Sequence, residues 1–211
     1  VNSENKKNFS IKYIKKKITN SLSNLKTHYI DGYQLHNLNS GDNISKIFKE
    51  LTKLKKNGIL RSIGFSSRDP EDAIKIIKKY NFDFLQVGFS VYDQRLISSG
   101  LLKEVKKRNL YLLTRSPFNS GYLTENNNTK YFNKKFQKMI SKFKRNNINK
   151  IIYSNKSLDY SALKYCISFK EIISVIVGMA SKLEIEKNVR VVYQNTTREK
   201  NWKKNLITIY E

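Results

Sequence analysis

The sequence predicts an α/β fold of about five parallel strands with flanking helices, on three observations. Short apolar segments alternate along the chain with amphipathic helical ones. The strand candidates read as segments buried on both faces, the habit of parallel β/α units. Polar residues gather just where those strands end, the side on which such units bind ligands. With 211 residues the chain is long enough for one domain with a proper core, and 1–211 is read as a single domain.

The first strand is "YIDGYQLH", residues 29–36, closing at His36. A helix over 44–57 follows, because Ile44, Ile47, Phe48, Leu51 and Leu54 recur at helical spacing. Asp42 or Asn43 is expected to cap its start, and Gly58 suits the left-handed residue past its end. "LRSIGFSS" is the second strand. Asp69-Pro70-Glu71-Asp72 then opens a helix with a cap, a fixed φ and acids against the helix dipole. Its apolar stripe is expected to be Ala73, Ile74, Ile77 and Tyr80.

"FDFLQVGF" is the third strand and residues 97–108 a single helix carrying Leu101, Leu102 and Val105. "LYLLTRSPF" is the fourth strand. The polar, aromatic stretch "NSGYLTENNNTKYFNKK" reads as a loop or lid. Helices around 135–147 and 157–169 lead to the last strand, "IISVIVGM", and a helix from about Ser181.

Composition limits the setting. The chain is 39% hydrophobic and 12% aromatic, too apolar for a disordered segment. No apolar run approaches the roughly 20 residues that span a bilayer, and the polar start is no secretory signal. One cysteine, Cys166, excludes an internal disulfide and suits a reducing, cytoplasmic setting without a membrane. The net charge of +24 raises the possibility of nucleic-acid binding. Yet the excess is mostly lysine spread over predicted helix faces, and Lys, Asn and Ile share A/T-rich codons. A solvated basic surface is the preferred reading, and nucleic acid the lesser one.

The strand ends carry His36, Ser66-Ser67, Gln86, Arg115-Ser116-Pro117 and Gly178. No strand runs into GxGxxG or GxxxxGK[ST], so the two usual nucleotide fingerprints are absent. A doubly wound sheet and a (β/α)8 barrel both fit the alternation; five polar strand ends facing one side look more like a barrel mouth. No metal-ligating set is nominated.

"YIDGYQLHN", "GILRSIGFSS", "FLQVGFSVYDQ", "LLTRSPFNSGYLT", "ALKYCISF" and "SVIVGMASKLEIEKN" resemble, in order and spacing, the aldo/keto reductase family. The resemblance covers about Ile11 to Asn188. It implies an incomplete (β/α)8 TIM barrel, matching the family's fourth to eighth units, and hydride transfer between NADPH (or NADH) and a small carbonyl substrate.

Carried over residue by residue, the resemblance makes His36 the active-site histidine that hydrogen-bonds the substrate carbonyl oxygen. Imidazole suits this role because a ring nitrogen donates as negative charge develops on the oxygen. Ser66 and Gln86 match the residues that read the nicotinamide carboxamide, and Ser67 stands where the family commonly has asparagine. Arg115 takes the place of an aromatic ring under the nicotinamide, which a flat guanidinium can replace. Ser116, Phe118, Gly121 and Leu123 match the segment along the pyrophosphate, where free backbone N–H groups are expected. Gly178 is expected to allow a tight turn, with Ser181 or Lys182 near a 2′-phosphate at a helix N-terminus. Glu184 and Asn188 match positions near the adenine.

The family's tetrad also includes Asp, Tyr and Lys from its first three units, and no residue here matches them. The sequence is therefore expected to be a truncated barrel, completed by an N-terminal fragment or a second copy. A catalytically dead dinucleotide-binding remnant is the alternative, and a basic RNA-binding module a more distant one.

Overall fold

The computed structural model describes residues 8–124 and 156–193, with Lys134, Gln137, Lys138 and Ser141 between them. Those four are helical; the rest of the helix predicted around 135–147 lies outside the described residues, as does the far half of the predicted loop or lid. The chain forms two compact units, Val1–Leu85 and Gln86–Glu211.

The first unit opens with a helix that the sequence reading did not pick out, α1 (Ile11–Leu25). Ser10 caps it, its Oγ accepting from the Tyr13 N–H at 3.3 Å. Ile14 and Ile18, one turn apart, are its buried residues, and left-handed Lys26 (φ 51°) ends it. Strand β1 (Ile30–Leu35) pairs in parallel with β2 (Leu60–Ser66), Ile30 opposite Leu60 and Leu35 opposite Phe65.

Between them runs α2 (Ser45–Lys56), buried through Ile47 and Leu51 and followed by Gly58 at φ 75°, as expected. Its cap differs from expectation. Asp42 turns back to accept the Asn39 N–H at 2.8 Å, and Asn43 reaches only the Ser45 N–H, at 3.5 Å. Ile44 takes the cap position without a side-chain bond.

Helix α3 (Pro70–Lys79) begins as predicted: the Asp69 carboxylate accepts the Glu71 N–H at 2.8 Å. Its buried face is Pro70, Ala73, Ile76 and Ile77, one position around from the predicted stripe. Ile74 and Tyr80 are half-buried instead, with Tyr80 at the edge of a ring cluster with Phe48 and Phe82. The Asp83 carboxylate accepts the Ile63 N–H at 2.8 Å and pairs with Lys55, fixing β2 against the start of β3 (Phe84–Gly88).

In the second unit the single helix expected over 97–108 is two, α4 (Arg95–Ser98) and α5 (Leu101–Lys107). Gly100 separates them at φ 81°, a conformation glycine adopts without steric penalty. Strand β4 (Tyr111–Arg115) pairs in parallel with β5 (Ile172–Ile176), Leu112 opposite Ile172 and Arg115 opposite Ile176, with a register shift after Leu112.

Helix α6 (Leu158–Ile167) is buried at eight of its ten positions, as a helix walled in on most sides must be. Cys166 lies fully inside, 3.5 Å from the Phe89 carbonyl; Phe89 stacks on Tyr165, and Phe169 meets both rings edge-on, with centroids 5.1–5.3 Å apart. Helix α7 (Lys182–Tyr193) buries only Val191, against Tyr160 and Leu163 of α6. The five strands follow one another in the sheet in sequence order, β1 to β5. Among the described residues no helix is long and apolar enough to cross a membrane, and no cluster of ligating side chains would hold a metal ion.

Candidate active site

His36 directly follows the last residue of β1 and is exposed. It stands between Leu35 and Leu38, both essentially buried, so the backbone on either side is anchored. The next residue, Asn37, is left-handed at φ 54°, a conformation that asparagine tolerates better than most side chains. Ser66, at the end of β2 and only 3% exposed, holds this turn. Its Oγ accepts the Asn37 N–H at 2.8 Å, and its carbonyl accepts the Leu38 N–H at 2.7 Å. Ser67 is buried and locally engaged, donating to the Asp69 carbonyl at 3.0 Å and thereby shaping the entry to α3.

In the second unit Gln86 is half-buried within β3. Arg115 closes β4; its carbonyl accepts the Phe89 N–H at 3.1 Å and its guanidinium reaches the Ser116 Oγ at 3.4 Å. After it the chain coils tightly, with positive φ at Ser116, Asn119, Ser120 and Gly121. The expectation of free N–H groups along this segment does not hold for most of it. Asn119 donates to Ser116, Gly121 and Leu123 both donate to Phe118, and Thr124 donates to Gly121. Consecutive turns satisfy these groups internally. Phe118 packs against the Tyr160, Leu163 and Val191 cluster, and Leu123 is fully buried, so both side chains serve the core.

Gly178 is exposed, its φ lies outside the left-handed region, and an added Cβ would meet nothing within 4 Å. The turn there does not require glycine, contrary to expectation. Ser181 and Glu184 form a reciprocal cap at the start of α7. The Glu184 N–H donates to the Ser181 Oγ at 3.2 Å, and the Ala180 N–H donates to the Glu184 carboxylate at 2.6 Å. Lys182 is almost fully exposed, with Glu186 3.8 Å away. Asn188 lies further along α7 and lines a cleft of about 180 Å³. Lys187 and Arg190 share that wall, with Lys156, Asp159 and Tyr160 opposite, at the start of α6.

Two of these features escaped the sequence reading. The Ser66–Asn37 bond joins residues 29 positions apart, which no local pattern reveals. The cleft's α6 wall could have been approached from "NKSLD", a Ser cap with an acid in the first turn. Elsewhere, burial pushes the phenols of Tyr92, Tyr122 and Tyr165 up, as suits buried core residues more than proton donors to a solvent-reached substrate.

The sequence profile described as the aldo/keto reductase family matches residues 1–204. An uncharacterized oxidoreductase of Bacillus subtilis is 30% identical over 181 residues, covering 82% of this chain and 57% of that protein. L-galactose dehydrogenase of Arabidopsis thaliana is 27% identical over 198 residues, 87% of this chain and 59% of that one. The chain thus spans under three fifths of the length of these two relatives. Among solved structures, the holo form of an aldo-keto reductase from Bacillus halodurans superposes with a TM-score of 0.80 at 24% identity, covering 95% of this chain and 68% of that one. That likeness bears on the fold: parallel strands in sequence order with helices between them, as in part of a TIM barrel.

Proposed function

The chain belongs to the aldo/keto reductase family, and from that premise we propose that it serves the NAD(P)H-dependent reduction of a small carbonyl compound to an alcohol. The observation that carries this reading is the exposed His36 at the carboxyl end of β1, on a turn fixed by Ser66. An imidazole held there has the means to donate a hydrogen bond to a carbonyl oxygen and to stabilise the charge that develops on it.

The dinucleotide, when bound, supplies the hydride. In the first unit, Ser66 is proposed to meet the carboxamide, with Ser67 shaping the turn behind it. In the second, Gln86 and Arg115 are assigned to the nicotinamide end and the coil from Ser116 to Leu123 to the pyrophosphate. The residues present fit the adenosine end: the cleft beside Asn188 offers an amide, an aromatic wall at Tyr160 and cations at Lys156, Lys187 and Arg190. Three cations against Asp159 favour the extra phosphate of NADPH over NADH. Glu184, assigned to the adenine by resemblance, has its carboxylate on the Ala180 N–H.

Reduction also needs a proton at the carbonyl oxygen, and no residue here matches the family's Asp, Tyr and Lys. We therefore assign dinucleotide binding to residues 1–211 and complete turnover to a protein that also carries that tetrad. Oxidation of NADPH by 4-nitrobenzaldehyde, followed by absorbance, tests this. The expected rate with this chain alone stays at background, since proton delivery is worth roughly 10² to 10⁴ in rate. Turnover by pure protein that disappears in His36→Ala would show another residue supplying the proton.

A further inference from the structure

We propose that Ser66 is a positioning residue for His36, acting through the backbone of Asn37. Two hydrogen bonds converge on Ser66 from the two residues after the histidine, Asn37 N–H to its Oγ at 2.8 Å and Leu38 N–H to its carbonyl at 2.7 Å. Together they hold Asn37 at φ 54°, a left-handed residue two positions past the end of β1, and so fix the turn on which His36 sits. Ser66 itself is buried and fixed in β2, opposite the chain it holds.

The hydroxyl has one hydrogen and two lone pairs. Accepting the Asn37 N–H occupies a lone pair and leaves the hydrogen to be donated onward. On the functional reading above, on which this part rests, that hydrogen goes to the cofactor's carboxamide oxygen. A dinucleotide bound at Ser66 is then linked through one oxygen atom to the turn that carries His36. Donating outward makes the oxygen a better acceptor for Asn37, because successive hydrogen bonds polarise one another. Cofactor occupancy would in this way tighten the histidine's placement.

The test uses the full chain labelled with ¹⁵N and with ¹³C-histidine, as wild type, Ser66→Ala and Ser66→Thr. The two histidines, His28 and His36, give an internal control. In the free protein, Ser66→Ala should make the Asn37 amide exchange about tenfold faster. It should also shift the His36 ring resonances, leaving those of His28 and the amides of α5 unmoved. Ser66→Thr, which keeps the hydroxyl, should restore both. Unchanged His36 resonances in Ser66→Ala, or changes spread equally over α5, would overturn the positioning role. Adding NADP⁺ should then move the Asn37 amide in wild type and Ser66→Thr but not in Ser66→Ala. Binding that leaves Asn37 unmoved in wild type would overturn the linkage alone. An absence of dinucleotide binding would count against the functional reading and the linkage, while the free-protein comparison still decides the positioning role.

Discussion

The ring of Phe84 lies across the face of Gly64, in the space where a side chain at that position would stand. Gly32 on the neighbouring strand borders the same ring, since a Cβ there would come within 3.4 Å of it. Glycines at these two points let an aromatic side chain from β3 lie flat over β1 and β2, just below the residues that end them. This packing supports the end of β2, where Ser66 holds the His36 turn.

Gly64→Ala should therefore destabilise the chain by about 1–3 kcal/mol, the usual cost of overpacking a closed site. Urea unfolding followed by circular dichroism measures this, and Gly41→Ala, where a Cβ meets nothing within 4 Å, is the control. Equal midpoints for the two variants would mean that Phe84 moves aside freely.

Cys166 is fully buried, and burial pushes its thiol up, so little thiolate is present at neutral pH. Native protein at pH 8 should react with a thiol reagent only as fast as the core opens. The rate should rise steeply near the unfolding midpoint. Immediate stoichiometric labelling under native conditions would contradict the packing of α6 against Phe89.

The Glu50 carboxyl is held below its usual range, chiefly by the hydrogen bond from Lys15 at 2.7 Å between α1 and α2. A lowered folded-state value means the contribution is present above the unfolded carboxyl range and is lost as pH falls through the folded value. Wild type should thus lose stability in acid more steeply than Glu50→Gln. The pair's access to solvent, through an exposed Lys15 and a half-buried Glu50, makes the difference small and sensitive to salt. Identical acid limbs for the two proteins would remove this tie between α1 and α2.

What the sequence disclosed follows from how local each cause is. Asp69 and Pro70 announced α3 because cap, φ and dipole all act within one turn, and Gly58 was legible for the same reason. Helix α1 was hidden by its lysines, although Ser10, Ile14 and Ile18 carry the cap and the spacing. The break at Gly100 was passed over because one glycine inside an apolar pattern is also compatible with a continuous helix. Gly178 was expected to turn as only glycine can, yet its φ lies outside the left-handed region. In the site, His36 and Ser66 were legible as polar residues at strand ends, and their roles came from resemblance. The bond that relates them runs between neighbouring strands and depends on register, which a single sequence does not reveal.

The +24 charge allows a direct test of the composition argument. If the basic surface is only solvated, RNA should bind weakly, without sequence preference, with affinity falling steeply between about 50 and 200 mM salt. Tight binding of one RNA sequence that survives the higher salt would replace the reductase reading with the RNA-binding one.

Calorimetric titration with NADPH decides whether this chain carries the proposed dinucleotide site. Wild type should show weak, saturable binding, because part of the interaction free energy must order the site. Asn188→Ala and Arg190→Ala, which alter the cleft between α6 and α7, should each weaken NADPH by about tenfold, roughly 1.4 kcal/mol. Arg190→Ala should weaken NADH less, since NADH lacks the extra phosphate. No heat at millimolar NADPH would rule out a dinucleotide site on this chain, and equal affinities in wild type and both variants would rule out the cleft between α6 and α7 as its adenosine end.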